Sequence, residues 1–250
     1  MVRYRLTIEY DGMPYRGWQR QDDVPSVQGA IETALQQIGE STLVQGAGRT
    51  DAGVHALGQV AHVDLERDWT PFRLVEAVNA HLRQAGETVA ILDCDRVDEE
   101  FHARFSAIQR HYIYRIIARR APLTVEKERA WNVKVPMNIE AMNDAAEVML
   151  GEHDFTTFRS TECQAKSPIK TIDTLKVRQR DAHVGSVVEI STTARSYLHS
   201  QVRSFAGALK LVGEGRWSKD DVAAALEAKD RNACAPVAPP HGLYLVSVAY

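Results

Sequence analysis

Apolar and polar residues alternate with a period of two from Arg3 to Tyr10, which puts Tyr4, Leu6, Ile8 and Tyr10 on one face of a half-buried strand before Asp11-Gly12 turns the chain. Ser26 precedes Val27, Ala30, Ile31, Ala34, Leu35 and Ile38, the spacing of an amphipathic helix with a serine cap and Gly39 as its stop. Thr70-Pro71 opens a second helix through about Gln84, with Thr70 as its cap and proline at the first helical position. Thr88 to Leu92 and His111 to Ile117 read as strands, the latter with Tyr112 and Tyr114 on one face. The second half repeats this order. Asn138 caps a helix carrying Ile139, Met142, Ala146, Met149 and Leu150 that stops at Gly151, and strands follow near Leu175 to Gln179 and Val187 to Thr192. A helix from about Leu198 turns Val202, Phe205, Ala206, Leu209 and Val212 toward the core, with Arg203 beside that stripe. Ser218 and Asp221 have capping-box spacing, and Leu243 to Tyr250 closes the chain as a strand. Strands and helices mixed in two comparable halves predict an α+β fold, divided into an N-terminal half over 1–107 and a C-terminal half over 108–250.

Composition adds few constraints. With 44% hydrophobic and 25% charged residues among 250, the chain has the make-up of a globular protein large enough for a sizeable core. No apolar run approaches the roughly 18 residues of a membrane span, and MVRYRLTIEY lacks a signal peptide's apolar stretch, so a cytoplasmic location is expected. Cys94, Cys163 and Cys234 are far apart and form no Cys-x-x-Cys pair, which predicts free thiols and no zinc site. The net charge of −3 does not suggest a nucleic-acid partner, but its distribution does. From His102 to Arg120 there are five arginines and no acid, and further basic stretches hold Arg159, Lys166, Lys170, Lys176, Arg178 and Arg180, then Arg195, Arg203, Lys210 and Arg216.

The most unusual stretch is Gln45-Gly46-Ala47-Gly48-Arg49-Thr50-Asp51-Ala52-Gly53-Val54-His55. It is neither a dinucleotide fingerprint, because Asp51 stands where the third glycine is needed, nor a Walker A, because Val54 and His55 replace Lys and Ser/Thr. What remains is a glycine-flanked loop holding a carboxylate beside a guanidinium. Glycines permit close approach of a substrate backbone, and a neighbouring arginine keeps a half-buried aspartate ionised, as a nucleophile or base requires. A structural Asp-Gly turn with a local ion pair is the competing reading.

Gly48-Arg49-Thr50-Asp51-Ala52-Gly53-Val54-His55-Ala56 resembles the signature of the tRNA pseudouridine synthase A family, with Asp51 at the position of the catalytic aspartate. Tyr10-Asp11-Gly12 with Gly17-Trp18-Gln19-Arg20 resembles the family's N-terminal motif. Phe101-His102-Ala103-Arg104-Phe105-Ser106-Ala107 resembles a second motif, followed by the active-site tyrosine at Tyr112. Tyr197-Leu198-His199-Ser200-Gln201-Val202-Arg203 and Gly242-Leu243-Tyr244-Leu245 complete the match, in order along the chain. Departures fall at Ser200, Gln201 and Ser204, where many relatives have His or Tyr, Met and Asn, and at Lys170, where arginine is common.

The resemblance implies two ferredoxin-like halves whose sheets join into one mixed, mainly antiparallel sheet with a central basic cleft. It also implies a homodimer that isomerises uridine to pseudouridine at positions 38, 39 and 40 of the tRNA anticodon stem-loop, without cofactor or metal. By the same resemblance Arg203 pairs with Asp51, Tyr112 packs on the target uracil and Arg49 helps extrude the nucleotide. Arg20, Arg104, Arg110, Lys166 and His102 are the expected RNA contacts. Whether Asp51 attacks C1′, removes a ribose proton or attacks the base stays open. So do an inactive RNA-binding module of the same fold, another RNA target, and a hydrolase using Asp51 with His55. Trp18 fits either an RNA stack or a core position.

Overall fold

The computed structural model describes residues 1–250. In chain order the first elements are β1 (Val2–Tyr10), α1 (Val27–Gln37), β2 (Gln45–Gly46), β3 (His55–Leu65), α2 (Pro71–Gln84) and β4 (Val89–Arg96). There follow β5 (Gln109–Ala118), β6 (Trp131–Val133), α3 (Ile139–Ala146), β7 (Gly151–Asp154), β8 (Ile169–Asp181), β9 (Ser186–Ala194), α4 (Gln201–Gly213), α5 (Lys219–Ala228) and β10 (Leu243–Ala249). Ten strands, mostly antiparallel, and five α-helices make this an α+β protein. Two compact units are formed: Met1–Ile108 with Tyr244–Tyr250, and Gln109–Leu243. Almost all of β10 therefore belongs to the first unit, although a linear division counts it with the C-terminal half.

In the first unit the strand order is β4-β1-β3-β10. β1 is antiparallel to both neighbours, with Tyr4 opposite Val63 on β3 and Arg96 on β4. β10 runs parallel to β3, pairing Tyr244 with His55. The alternation read along β1 is real, since Tyr4, Leu6, Ile8 and Tyr10 are all buried. α1 and α2 pack on each other and on β4. Ser26 caps α1 by accepting from the Gly29 N–H. Thr70 stands at the cap of α2 without a side-chain cap bond, so proline's fixed φ, not the hydroxyl, sets that start.

The second unit orders its strands β5-β9-β8-β7, with β6 parallel to β5. α3 packs against α4, α5 and β8. Its core centres on Phe155, Phe158 and Phe205, three buried rings with centroids 5.4–6.3 Å apart in T-shaped contacts. The helix expected from Leu198 begins at Gln201 instead. Ser200 takes a left-handed φ of 60°, and the Gln201 side chain folds back to accept the Leu198 N–H at 2.7 Å. Ser218 and Asp221 form the capping box their spacing predicted.

Both units secure an unpaired strand segment with a helix asparagine. The Asn79 amide of α2 donates to the carbonyl of Ile91 on edge strand β4 and accepts its N–H, both at 2.8 Å. Asn143 of α3 does the same for Val177 on β8, at 2.9 and 2.8 Å, beyond the residues of β8 that β7 covers. Leaving a partly buried N–H and C=O unmade costs about 1–3 kcal/mol. Asn79→Ala and Asn143→Ala are each expected to lower stability by about that much in urea unfolding. Unchanged unfolding midpoints would show the clamps to be dispensable.

Candidate active site

The Asp51 loop connects β2 to β3 and is built by its neighbours in the first unit. The Asp51 carbonyl accepts from the Val54 N–H at 3.1 Å, closing a four-residue turn whose third residue, Gly53, has φ +76°. That positive φ is what glycine supplies in such a turn. The loop's N-terminal side is held by the Trp18 N–H, which donates to the Thr50 carbonyl at 3.1 Å, and by Tyr10, whose hydroxyl lies 2.8 Å from Thr50 Oγ1. The fully buried Gln59 amide of β3 donates to the Gly48 carbonyl at 2.8 Å. The sequence reading gives the glycines to a substrate backbone. At Gly46 the space is used by the protein itself, since a Cβ there would lie 2.6 Å from the Trp18 indole. Trp18 is 2% exposed and a core residue, which excludes it as an RNA stack. Asp51 itself is half-buried and Arg49 is exposed.

His55 is a scaffold residue. It is buried, its ring stacks on Tyr244 with centroids 4.8 Å apart, and its Nδ1 lies 3.1 Å from both the Gly12 N–H nitrogen and Asp11 Oδ1. These contacts fasten the Tyr10-Asp11-Gly12 bend to the start of β3. His102 likewise uses Nδ1 internally, accepting the N–H groups of Arg104 and Phe105. His62 and Gln59, buried polar residues of β3 that organise these loops, escaped the sequence reading, and polar residues inside an otherwise apolar run are the signal that marks them.

In the second unit Tyr112 lies on β5 opposite Thr192 and is 8% exposed. Its ring meets Tyr197 edge to face, with centroids 5.2 Å apart at 88°. The Tyr197 hydroxyl is 3.1 Å from Thr192 Oγ1, and burial pushes its pKa far up, so it stays a neutral phenol. Arg203 occupies the first turn of α4, where its Nε–H donates to the Ala238 carbonyl at 2.9 Å while the Ala238 N–H returns to the Arg203 carbonyl at 3.1 Å. The first bond holds the guanidinium and the second fastens the Ala238 backbone to α4. Its charge offsets part of the strong upward push that burial gives the Tyr114 hydroxyl.

The basic candidates divide by environment. Arg104 and Lys166 are exposed, as is Arg20, whose guanidinium is nevertheless held 2.7 Å from the buried Glu32 carboxylate. Glu32 also accepts from the Gln28 amide and the Val44 N–H, which makes Arg20 part of a structural network. Arg110 is 8% exposed and donates to the Arg195 carbonyl, tying β5 to the end of β9. All three cysteines are free thiols, and no group of three or more His, Cys, Asp or Glu side chains is placed to hold a metal ion.

Comparison with known proteins gives these loops a family. A family model described as tRNA pseudouridine synthase matches residues 6–106 and 145–250, a span that takes in the Asp51 loop and Arg203. The chain belongs to the tRNA pseudouridine synthase family. Proteins called tRNA pseudouridine synthase A are similar over the whole chain: 59% identity in Rhizobium meliloti, covering all of that protein, and 58% in Agrobacterium fabrum and Brucella ovis, covering 93% and 98% of theirs. A chain of a solved Cbf5-Nop10-Gar1 complex is 12% identical with a TM-score of 0.36, over 83% of this chain and 45% of that one, too distant to bear on the synthase assignment. No helix is long and apolar enough to cross a membrane.

Proposed function

We propose that this protein converts uridine to pseudouridine in tRNA, at positions 38, 39 and 40 of the anticodon stem-loop, acting as a homodimer in the cytoplasm. In this reaction the bond from uracil N1 to ribose C1′ breaks, the base turns, and C5 bonds to C1′. The C5 proton leaves and N1 gains one, so no atoms are gained or lost. Asp51 acts as the nucleophile on the nucleotide, Arg203 serves as its counter-charge and keeps it ionised, and Tyr112 stacks on the uracil. Arg49, exposed two residues before Asp51, helps draw the nucleotide from its stack, a step that costs a few kcal/mol.

The observation that carries this reading is the Asp51 turn: a half-buried carboxylate on a loop fixed by Trp18, Tyr10 and Gln59, in a chain of this family. The test incubates the protein with an unmodified tRNA transcript and maps pseudouridine by chemical adduct and primer extension. Pseudouridine at 38–40 is the expected result. None, or modification confined to other positions, overturns the reading.

RNA helices are gripped mainly through phosphates and 2′-hydroxyls. tRNA affinity is therefore expected to fall steeply with salt despite the net charge of −3, with about 0.7–0.9 in log–log slope for each phosphate neutralised. Arg104→Glu is expected to weaken binding and flatten that slope while leaving the single-turnover rate at saturation unchanged. A flat salt response in filter binding would remove RNA from the basic stretches. Arg110 is unsuited to this test, because its reversal buries a carboxylate.

A further inference from the structure

The segment after β4 ends in a turn over Ala103–Ser106 that is fastened more firmly than a connection requires. The His102 N–H donates to the Ser106 hydroxyl at 3.0 Å and the Ser106 N–H returns to the His102 carbonyl at 2.9 Å. The N–H groups of Arg104 and Phe105 converge on His102 Nδ1 at 3.1 and 3.4 Å. From the sheet, the Ala103 N–H donates to His62 Nδ1 at 3.2 Å, the Tyr250 hydroxyl donates to the Ala103 carbonyl at 2.7 Å, and Arg3 holds the Phe101 carbonyl at 2.9 Å. Burial, with Arg3 and His102 nearby, pushes the His62 pKa down to about 4, so its Nδ1 remains an acceptor at neutral pH. Ala103 is fully buried in a small cluster with Ala47 and Val60.

This fixed turn presents an apolar ring to solvent. Phe105 is 70% exposed, with the His102 ring 4.4 Å from its centroid and the Arg104 guanidinium 5.6 Å over it. Single exposed apolar side chains are ordinary. Phe72, 74% exposed in the first turn of α2, is one of them, with no ring or cation set against it. Phe105 differs in standing on a turn whose backbone is bonded to His102, Ser106, His62 and Tyr250, with the exposed Arg104 next to it. A rigid aromatic face beside a guanidinium suits a polyanion that offers flat rings.

We propose that Phe105 is a stacking platform for a nucleobase of the bound tRNA that lies outside a helical stack, with Arg104 beside it for the adjoining phosphate. Aromatic side chains bind unstacked bases through their π-faces with little regard to sequence. The ring is prepositioned, so little ordering remains for binding to supply. The inference rests on tRNA being the ligand, and adds to that reading a contact made by a residue outside the proposed chemistry.

The experiment measures filter binding of unmodified tRNA transcript, and of a continuous RNA duplex of similar length, to wild type, Phe105→Ala, Phe105→Leu and Phe105→Trp. Melting and light scattering are run on each variant. Loss of one stacked base weakens binding about 5–150-fold. That loss is expected for Ala and Leu on tRNA only, with Trp near wild type and with melting and oligomeric state unmoved. Affinity within twofold of wild type for Ala, a Leu variant that binds like wild type, or an equal loss on duplex would overturn the platform. A variant that changes the oligomeric state would overturn it too, placing the ring at a protein interface. If wild type makes no pseudouridine yet shows the Phe105-dependent tRNA affinity, the proposed function fails and the platform stands. If wild type makes pseudouridine and Ala binds normally, the platform alone fails.

Discussion

Asp51→Asn is expected to reduce pseudouridine formation on unmodified tRNA below about 1% of the wild-type rate, since a positioned catalytic group supplies typically about 10²–10⁴-fold. The substitution removes a charge with almost no change in volume, and the Asp51 backbone carbonyl that closes the turn on Val54 is retained. Trp18, Tyr10 and Gln59 hold the loop through Thr50 and Gly48. The fold is therefore expected to survive, with the melting midpoint within about 2 °C of wild type and tRNA affinity nearly unchanged. Single-turnover assays on saturating tRNA separate the two effects. More than a few per cent of the wild-type rate would remove Asp51 from the chemistry. Lost rate accompanied by a lowered midpoint would assign it to the turn.

The sequence made some elements legible and hid others for physical reasons. β1 was visible because one face meets the core and the other does not, giving strict alternation. α1 and α5 announced themselves through Ser26, Ser218 and Asp221, whose side chains make the cap bonds their positions suggest. β3, the strand on which the Asp51 loop ends, was missed. Nine of its eleven residues are buried, on both faces, and Gly58 and the polar Gln59 and His62 interrupt the apolar run. With no exposed face there is no period of two to read. β10 could not be assigned to the first unit from the sequence, because only pairing to β3 across nearly 190 residues puts it there.

The site was half legible in the same sense. The residues proposed for the chemistry, Asp51, Tyr112 and Arg203, stand in motifs that resemble the family's. Their supports do not. Tyr10 on Thr50, Gln59 on Gly48 and His62 on Ala103 are contacts between segments far apart in sequence, and each supporting residue taken alone reads as an ordinary strand position. His55 and His102 lie inside the motifs, and the bonds their Nδ1 atoms make to the backbone of Gly12 and Arg104 are not visible there. Charge is visible in the sequence at Arg110, whereas its burial and its bond to the Arg195 carbonyl are not.

Tyr112→Phe and Tyr112→Ala are expected to give two different losses, because a tyrosine at a flipped uracil can act through its ring or its hydroxyl. Phenylalanine keeps the ring, including the edge contact with Tyr197, and removes the hydroxyl alone. An ordinary phenol, with a pKa of about 10, is a poor base at neutral pH. The proton on C5 must nevertheless be carried off once the base is rejoined, and a phenolic oxygen at the uracil can take it directly or through water. Losing a proton carrier costs typically about 10²–10⁴-fold, so Tyr112→Phe is expected to slow single turnover on saturating tRNA by at least about 10²-fold with little change in affinity. Alanine also forfeits stacking, worth about 1–3 kcal/mol per base, and is expected to lose a further 5–150-fold, roughly, in substrate positioning. It leaves a cavity beside Tyr197 at a position 8% exposed, at a cost of about 3–5 kcal/mol, so both variants are assayed at a temperature where circular dichroism reports the native fold. Wild-type single-turnover rates with phenylalanine would deny the hydroxyl any chemical role and leave stacking alone. Wild-type rates with alanine as well would take Tyr112 out of the site.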